Sequence, residues 1–246
     1  MFKNMRQKRY AFHMQSAKIY KKIKIFWDID GTLLQTHGAA AVPFANAVSK
    51  FAGQEVQIER KKLSGFTDYE IAQYLLKSIN METPFNEITQ ILNEYSLLLP
   101  SALRESKTQV IGEIKKTLIM LHESPNIELA IGTGNCLNGA LIKLGHVNLL
   151  QYFDKNNLFY STEKDWNRDL VIENAKNSLA EDQVGLVVGD SPRDILSAKN
   201  SDLFVMAAAT GAHSSIELLD MKPDYLLENS WTSDDLFKGL EKILRN

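Results

Sequence analysis

The sequence predicts a doubly wound parallel α/β sheet carrying an inserted all-helical module. Three observations lead there. From about residue 108 onward, short apolar runs alternate with stretches of helical periodicity, the pattern of strands joined by crossover helices. Between residues 37 and 105 the apolar spacing is helical, with no strand among it. Asp28, Thr133 and Asp190 each follow a predicted strand, so a parallel sheet would gather them at its carboxyl edge, where such sheets bind ligands.

Residues 23–27, Ile-Lys-Ile-Phe-Trp, make a largely apolar run long enough for one buried strand. It leads directly into Asp28-Ile29-Asp30-Gly31-Thr32-Leu33. Two carboxylates at a buried strand tip are costly without a cation beside them. Gly31 suits a sharp turn that aims peptide N–H groups inward, so the stretch suggests a metal or phosphate site. Residues 39–52 suit a first helix closed by Gly53, and 56–64 a connection. Thr67 with Glu70 reads as a capping box ahead of Ile71, Ala72, Leu75, Leu76 and Ile79 at helical spacing. Thr83-Pro84 opens the next helix, with Pro84 at its first position and Pro100 as its stop. Beyond it, helices at 108–123, 136–144, 169–180, 193–200, 214–220 and 233–244 alternate with strands at 127–131, 158–160, 184–188, 203–207 and 225–227. Ser214 and Glu217 supply a second capping box.

Composition narrows the class. The 246 residues are 44% hydrophobic and 24% charged, enough apolar content for one α/β domain plus a smaller insert. No apolar run approaches the ~20 residues a membrane span needs. The one cysteine, Cys136, cannot form an internal disulfide, which suits a reducing, cytoplasmic setting. Lys3, Arg6, Lys8, Arg9, Lys18, Lys21 and Lys22 form a basic arm over residues 1–22 that contains no acid. With those seven set aside, 21 cations remain against 30 acids, a net −9, which is a poor nucleic-acid surface. The arm reads as an extension with no catalytic part, and nothing in the sequence fixes an oligomeric state.

Asp28-Ile29-Asp30-Gly31-Thr32-Leu33 resembles the Asp-x-Asp-Gly-Thr-Leu motif of the haloacid dehalogenase-like phosphatase superfamily. Ile131-Gly132-Thr133-Gly134-Asn135 is similar to its second motif, an apolar strand ending in Thr or Ser, and Gly189-Asp190-Ser191-Pro192-Arg193-Asp194 to its fourth, Gly-Asp-x-x-x-Asp. The third, a lone basic residue before a helix, is met by Arg168, with Lys164 as competitor. The resemblance covers the chain from about residue 23 to its C-terminus and implies a Rossmann-like core at 23–36 and 106–246 under a helical cap at 37–105.

It also implies the chemistry. Asp28 would be the covalent nucleophile toward phosphorus and Asp30 the general acid and base. Asp28, Asp190 and the Asp30 backbone carbonyl would bind Mg²⁺, a hard ion that prefers oxygen ligands. Thr133, Gly134 and Arg168 would hold the transferring phosphoryl oxygens, with Asp194 supporting. Thr67 and Asp68, in the cap loop Gly65-Phe66-Thr67-Asp68, are candidates to reach the leaving group. The expected activity is Mg²⁺-dependent hydrolysis of a small phosphorylated metabolite, of the phosphoglycolate phosphatase-like branch. The alternatives are a sugar-phosphate mutase of the β-phosphoglucomutase type or a non-catalytic binding protein. A phosphonate hydrolase would need a cap lysine, for which Lys61 and Lys62 are the candidates. Several of these residues have plainer readings. Thr133 and Asn135 also suit the cap of the next helix, Asp194 a helix-start acid, Ser191 a turn, and His37 an exposed side chain. His213 has no assigned role.

Overall fold

The computed structural model describes residues 22–59 and 63–245. The expectations for the basic arm up to Lys21, and for Lys61 and Lys62, lie outside the described residues. In chain order the elements are β1 (Lys22–Trp27), β2 (Leu34–Gln35), α1 (Ala41–Ala52), α2 (Asp68–Ser78), α3 (Phe85–Glu105), β3 (Gln109–Val110), α4 (Ile114–His122), β4 (Ile127–Cys136), α5 (Leu137–His146), β5 (Leu158–Ser161), α6 (Arg168–Lys176), β6 (Gln183–Gly189), α7 (Pro192–Asn200), β7 (Phe204–Ala208), α8 (Ser215–Asp220), β8 (Tyr225–Leu227) and α9 (Ser233–Arg245).

Six strands form one sheet in the order β5-β4-β1-β6-β7-β8, and every neighbouring pair is parallel. The period of two along each strand sorts side chains to the two faces. Ile23, Ile25 and Trp27 of β1 join Leu129, Ile131, Leu186 and Val188 in one core, which α4, α5 and α9 cover. Phe26, Ala130, Val187, Val205 and Ala207 face the other way, into a core closed by α6, α7 and α8. With both faces buried, the strands read as continuous apolar runs. Helices α1, α2 and α3 build a third core around Phe44, Leu75, Leu76, Ile91, Tyr95 and Leu99, which Cys136 and Trp166 of the sheet-bearing part also touch.

The structure corrects five expectations. Pro84 is the N-cap of α3 rather than its first residue, and Pro100 lies inside that helix instead of ending it. The missing N–H at Pro100 leaves the Ser96 carbonyl without its helical donor, worth ~3 kcal/mol. Burial of Leu99 and Leu103 across the break carries the helix on to Glu105. The predicted helix at 108–123 begins only at Ile114, because Gln109–Val110 pairs antiparallel with Leu34–Gln35, and Gly112, at φ 45°, turns the chain between the two. Strand β4 runs five residues past Ile131, to Cys136, with a register shift between Gly132 and Cys136. Helix α6 stops at Lys176, four residues short of the predicted end.

Candidate functional site

The carboxyl ends of β1, β4 and β6 open into a cavity of about 650 Å³. Its lining includes Asp28, Asp30, Gly134, Asn135, Arg168 and Asp190 from the sheet-bearing part. Asp28 sits at the tip of the central strand, where its N–H bonds the Val188 carbonyl of β6 at 2.9 Å. One oxygen each of Asp28, Asp190 and Asp194 lies within 4.8 Å of the others, and all three residues are buried. Arg168, at the start of α6 and itself buried, bridges Asp28 Oδ1 at 3.1 Å and also donates to Asp194 Oδ1. Among the described residues its Nε has no protein partner.

Three close, buried carboxylates against one guanidinium leave an excess of acidic groups in the site. Burial therefore pushes the Asp28 carboxyl up to about 6, Arg168 only partly opposing it and Asp194 adding to it. Asp190 is held well above the ordinary carboxylate range, by burial first and then by Asp194 and Asp28. A hard divalent cation fits this set, since it takes oxygen donors and would supply the positive charge the cluster lacks.

Two glycines let Asp190 into place. A Cβ on Gly211 would fall 2.5 Å from Asp190 Cγ and overlap its Oδ2; one on Gly31, which sits at φ 80°, would overlap the same oxygen. The turn after Asp30 does not aim its amides inward as predicted. The Gly31 N–H bonds the Leu34 carbonyl at 2.9 Å, and those of Thr32 and Leu33 bond Ile29. Gly31 thus serves close approach rather than anion binding.

Asp30 faces a separate group. Lys143 of α5 donates to Asp30 Oδ2 and to Asn135 Oδ1, both at 2.5 Å, and Asn135 Nδ2 donates to Asp30 Oδ2 and Thr133 Oγ1, both at 2.9 Å. Burial works against the Lys143 ammonium, but Asp30, Tyr95 and Asp68 around it outweigh that and keep it protonated well above neutral pH. Sequence reasoning missed Lys143. The signal was there: buried Gly139, Ala140 and Leu144 put position 143 on the inward stripe of α5.

The plainer readings of Thr133 and Asn135 fail, because Cys136 occupies the N-cap of α5 and neither side chain caps it. Thr133 is wholly buried, while Gly134 and Asn135 line the cavity. Asp194 combines both of its readings. Ser191 N–H and Oγ–H bond its Oδ2 at 3.0 and 2.7 Å in a capping box on α7, while Oδ1 takes Arg168. Lys164 is exposed, and its backbone N–H bonds Thr162 Oγ1. His37 is exposed and lines the cavity at φ 51°.

Above the acids lies the loop leading into α2. Thr67 accepts from Glu70 N–H in the expected capping box, and its hydroxyl donates to the Trp166 carbonyl, so it is wholly buried and absent from the cavity lining. Asp68 does line the cavity, and its Oδ2 accepts the Cys136 N–H at 2.8 Å. Arg193 of α7 reaches Glu70 at 2.7 Å and stacks 3.9 Å over the Phe66 ring. Gly134 permits this closeness, since a Cβ there would stand 2.9 Å from the Phe66 carbonyl oxygen.

A parallel sheet with an aspartate at its central strand tip, opposed by a second acidic loop and a buried arginine, defines a carboxylate-built site at the carboxyl edge of a doubly wound α/β fold. The chain belongs to the haloacid dehalogenase-like hydrolase family, whose model matches residues 25–208. It is 24% identical over 225 residues to the provisionally named pyrophosphatase PpaX of Caldanaerobacter subterraneus subsp. tengcongensis, covering 89% of this chain and 96% of that one. Among solved structures, a predicted phosphatase from Clostridium acetobutylicum superposes with a TM-score of 0.68 at 21% identity, over 92% of this chain and 100% of its own. A predicted phosphoglycolate phosphatase from Haemophilus somnus 129PT gives 0.62 at 20% identity, over 91% and 97%. At these identities the superpositions speak for a shared fold. Among the described residues no helix is long and apolar enough to cross a membrane.

Proposed function

We propose that the protein is a Mg²⁺-dependent phosphomonoesterase acting on a small phosphorylated metabolite. The observation that carries this reading is the division of the two opening acids. Asp28 lies against Arg168 in the acid cluster, while Asp30 is turned to Asn135 and Lys143. A nucleophile and a proton-transfer group need that separation.

An Asp28 oxygen attacks phosphorus, and the bond to the leaving oxygen breaks as Asp30 gives that oxygen a proton. Asp30 then takes a proton from water, whose oxygen attacks the aspartyl-phosphate; inorganic phosphate leaves and the Asp28 carboxylate is restored. Asp28, Asp190 and the Asp30 carbonyl oxygen would hold Mg²⁺, which neutralises charge on the phosphoryl group when bound. Arg168, Thr133 and Gly134 hold the transferring oxygens, and Asp194 positions Arg168 through their ion pair. In this reading the helices between residues 37 and 105 act as a cap that closes the cavity and excludes water.

The test is rapid acid quench with ³²P-labelled substrate, beside p-nitrophenyl phosphate turnover with and without Mg²⁺. Asp30→Asn accumulates protein-bound label, because the first step with a good leaving group needs little acid help while the second still needs its base. Asp28→Asn binds no label and does not turn over. Label on Asp28→Asn, or equal label on both variants, refutes the assignment.

A further inference from the structure

We infer that Asp68 is a positioning residue for Asp30: from the helical module it holds the junction of β4 and α5, whose Asn135 and Lys143 hold Asp30 in turn. This deepens the phosphatase reading and rests on it for the role of Asp30.

The start of α5 is left incomplete by its own sequence. The first amides of a helix have no intrahelical carbonyl to bond. Helices α2, α7 and α8 each meet this with a capping box, in which the side chain three residues after the N-cap accepts the N-cap N–H. In α5 the N-cap is Cys136, which makes no side-chain cap bond, and three residues on stands Gly139, with no side chain to reach back. Asp68 fills that role from 68 residues away, its Oδ2 accepting the Cys136 N–H at 2.8 Å. A Cβ built on Gly139 would lie 3.5 Å from the same oxygen, so the carboxylate stands beside the position the missing side chain would leave from.

What this bond fixes is the neighbourhood of Asp30. Asn135 directly precedes Cys136, and Lys143 lies two turns along α5. Asn135 Nδ2 and Lys143 Nζ both donate to Asp30 Oδ2, and Lys143 also donates to Asn135 Oδ1. The module presses on the same stretch at Gly134, where a Cβ would stand 3.1 Å from Thr67 Cα. Burial raises the Asp68 carboxyl, while Lys143 and the Cys136 N–H oppose it, so the lysine that holds Asp30 also supports Asp68. Without Asp68 the junction loses this tie to the module, and Asn135 shifts away from Asp30 with it. Small misplacements of a reacting group are costly to turnover.

The test is rapid acid quench with ³²P-labelled p-nitrophenyl phosphate on wild type, Asp68→Ala and Asp68→Asn, each also in the Asp30→Asn background. Asp68→Ala should lower kcat about tenfold or more without raising KM, and should accumulate protein-bound label, because the step that fails is the one needing Asp30 as base. Asp68→Asn, whose amide oxygen still accepts the Cys136 N–H, should stay within about threefold of wild type. In the Asp30→Asn background, Asp68→Ala should add less than about twofold. A contact to the leaving group predicts the opposite: higher KM, less label, and a loss that multiplies with Asp30→Asn. Any of those results, or an Asp68→Ala variant that turns over like wild type, overturns the inference. Amide exchange of Cys136 by NMR reads the bond without any reaction: Asp68→Ala should speed it about tenfold or more, and Asp68→Asn should not. Gly139→Asp added to Asp68→Ala supplies the cap from α5 itself and should restore slow exchange and turnover together; exchange restored without turnover breaks the link to Asp30. Label on none of the proteins would sink the phosphatase reading, whereas unchanged Cys136 exchange in Asp68→Ala sinks the role of Asp68 whatever the reaction.

Discussion

Lys143→Met isolates the interaction that holds Asp30. Methionine keeps most of the length of the side chain and its packing along α5 while removing the ammonium. Two contacts vanish with it, to Asp30 Oδ2 and Asn135 Oδ1, both at 2.5 Å. The Asn135 oxygen becomes a buried acceptor without a donor, costing ~1–2 kcal/mol. The Asp30 side chain is 39% exposed, so water recovers much of what it loses, and its share is ~1 kcal/mol or less. Asp68 keeps the Cys136 N–H but loses the cation that opposes its upward shift, and so protonates more readily. Relief of the ammonium's own burial offsets part of the total, leaving a net destabilisation of ~2 kcal/mol. Urea unfolding of wild type, Lys143→Met, Asp30→Asn and the double variant closes a cycle in which Lys143 and Asp30 should couple by ~1 kcal/mol. Catalysis should fall along with stability, because Asp30 loses its fixed orientation. Coupling indistinguishable from zero, or a Lys143→Met variant as stable as wild type, would refute the view that this lysine tethers Asp30.

Gly211→Ala should cost at least ~100-fold in turnover and weaken Mg²⁺ binding, because the new methyl displaces the Asp190 carboxylate; calorimetric titration with Mg²⁺ beside activity checks it. In chelator, the elevated Asp28 carboxyl makes the folded state bind more protons than the unfolded one between the ordinary aspartate value of 3.8 and about 6, so stability should fall by up to ~3 kcal/mol as pH rises through that window. Asp190 acts in the same sense, Mg²⁺ should cancel the fall, and Asp28→Asn should shrink it; urea melts across pH 4–7 measure all three. Removing residues 1–20 should leave kcat within about twofold, read on purified protein checked for folding by circular dichroism.

The sheet was legible because each central strand is a short apolar run bounded by turn residues, and parallel pairing then forces Asp28, Thr133 and Asp190 to one edge. What escaped depended on partners far along the chain. Gln109 and Val110 carry a helical pattern forward and become a strand only because Leu34 and Gln35 lie beside them. Pro100 reads as a stop in any local rule, and only burial of Leu99 and Leu103 outweighs it. Lys143 is a helix-surface residue by type and buried by context, since its counter-charge sits 113 residues earlier. Arg168 and Lys164 are equivalent as residues before a helix; the ion pairs to Asp28 and Asp194 distinguish Arg168.

The start of α2 has a mechanical consequence. Glu70 uses Oε2 to accept the Thr67 N–H at 2.9 Å and Oε1 to hold Arg193, while Thr67 serves both Glu70 and the Trp166 carbonyl. The bonds that stop the helix from fraying are therefore shared with those that fasten it to the sheet-bearing half. Lifting the module away would strip partners from both residues together, and unwinding the first turn would release the fastening. The two events form one cooperative unit, so the backbone amides of Glu70 and Ile71, both bonded to Thr67, should become exposed to exchange through the same opening that frees the cavity.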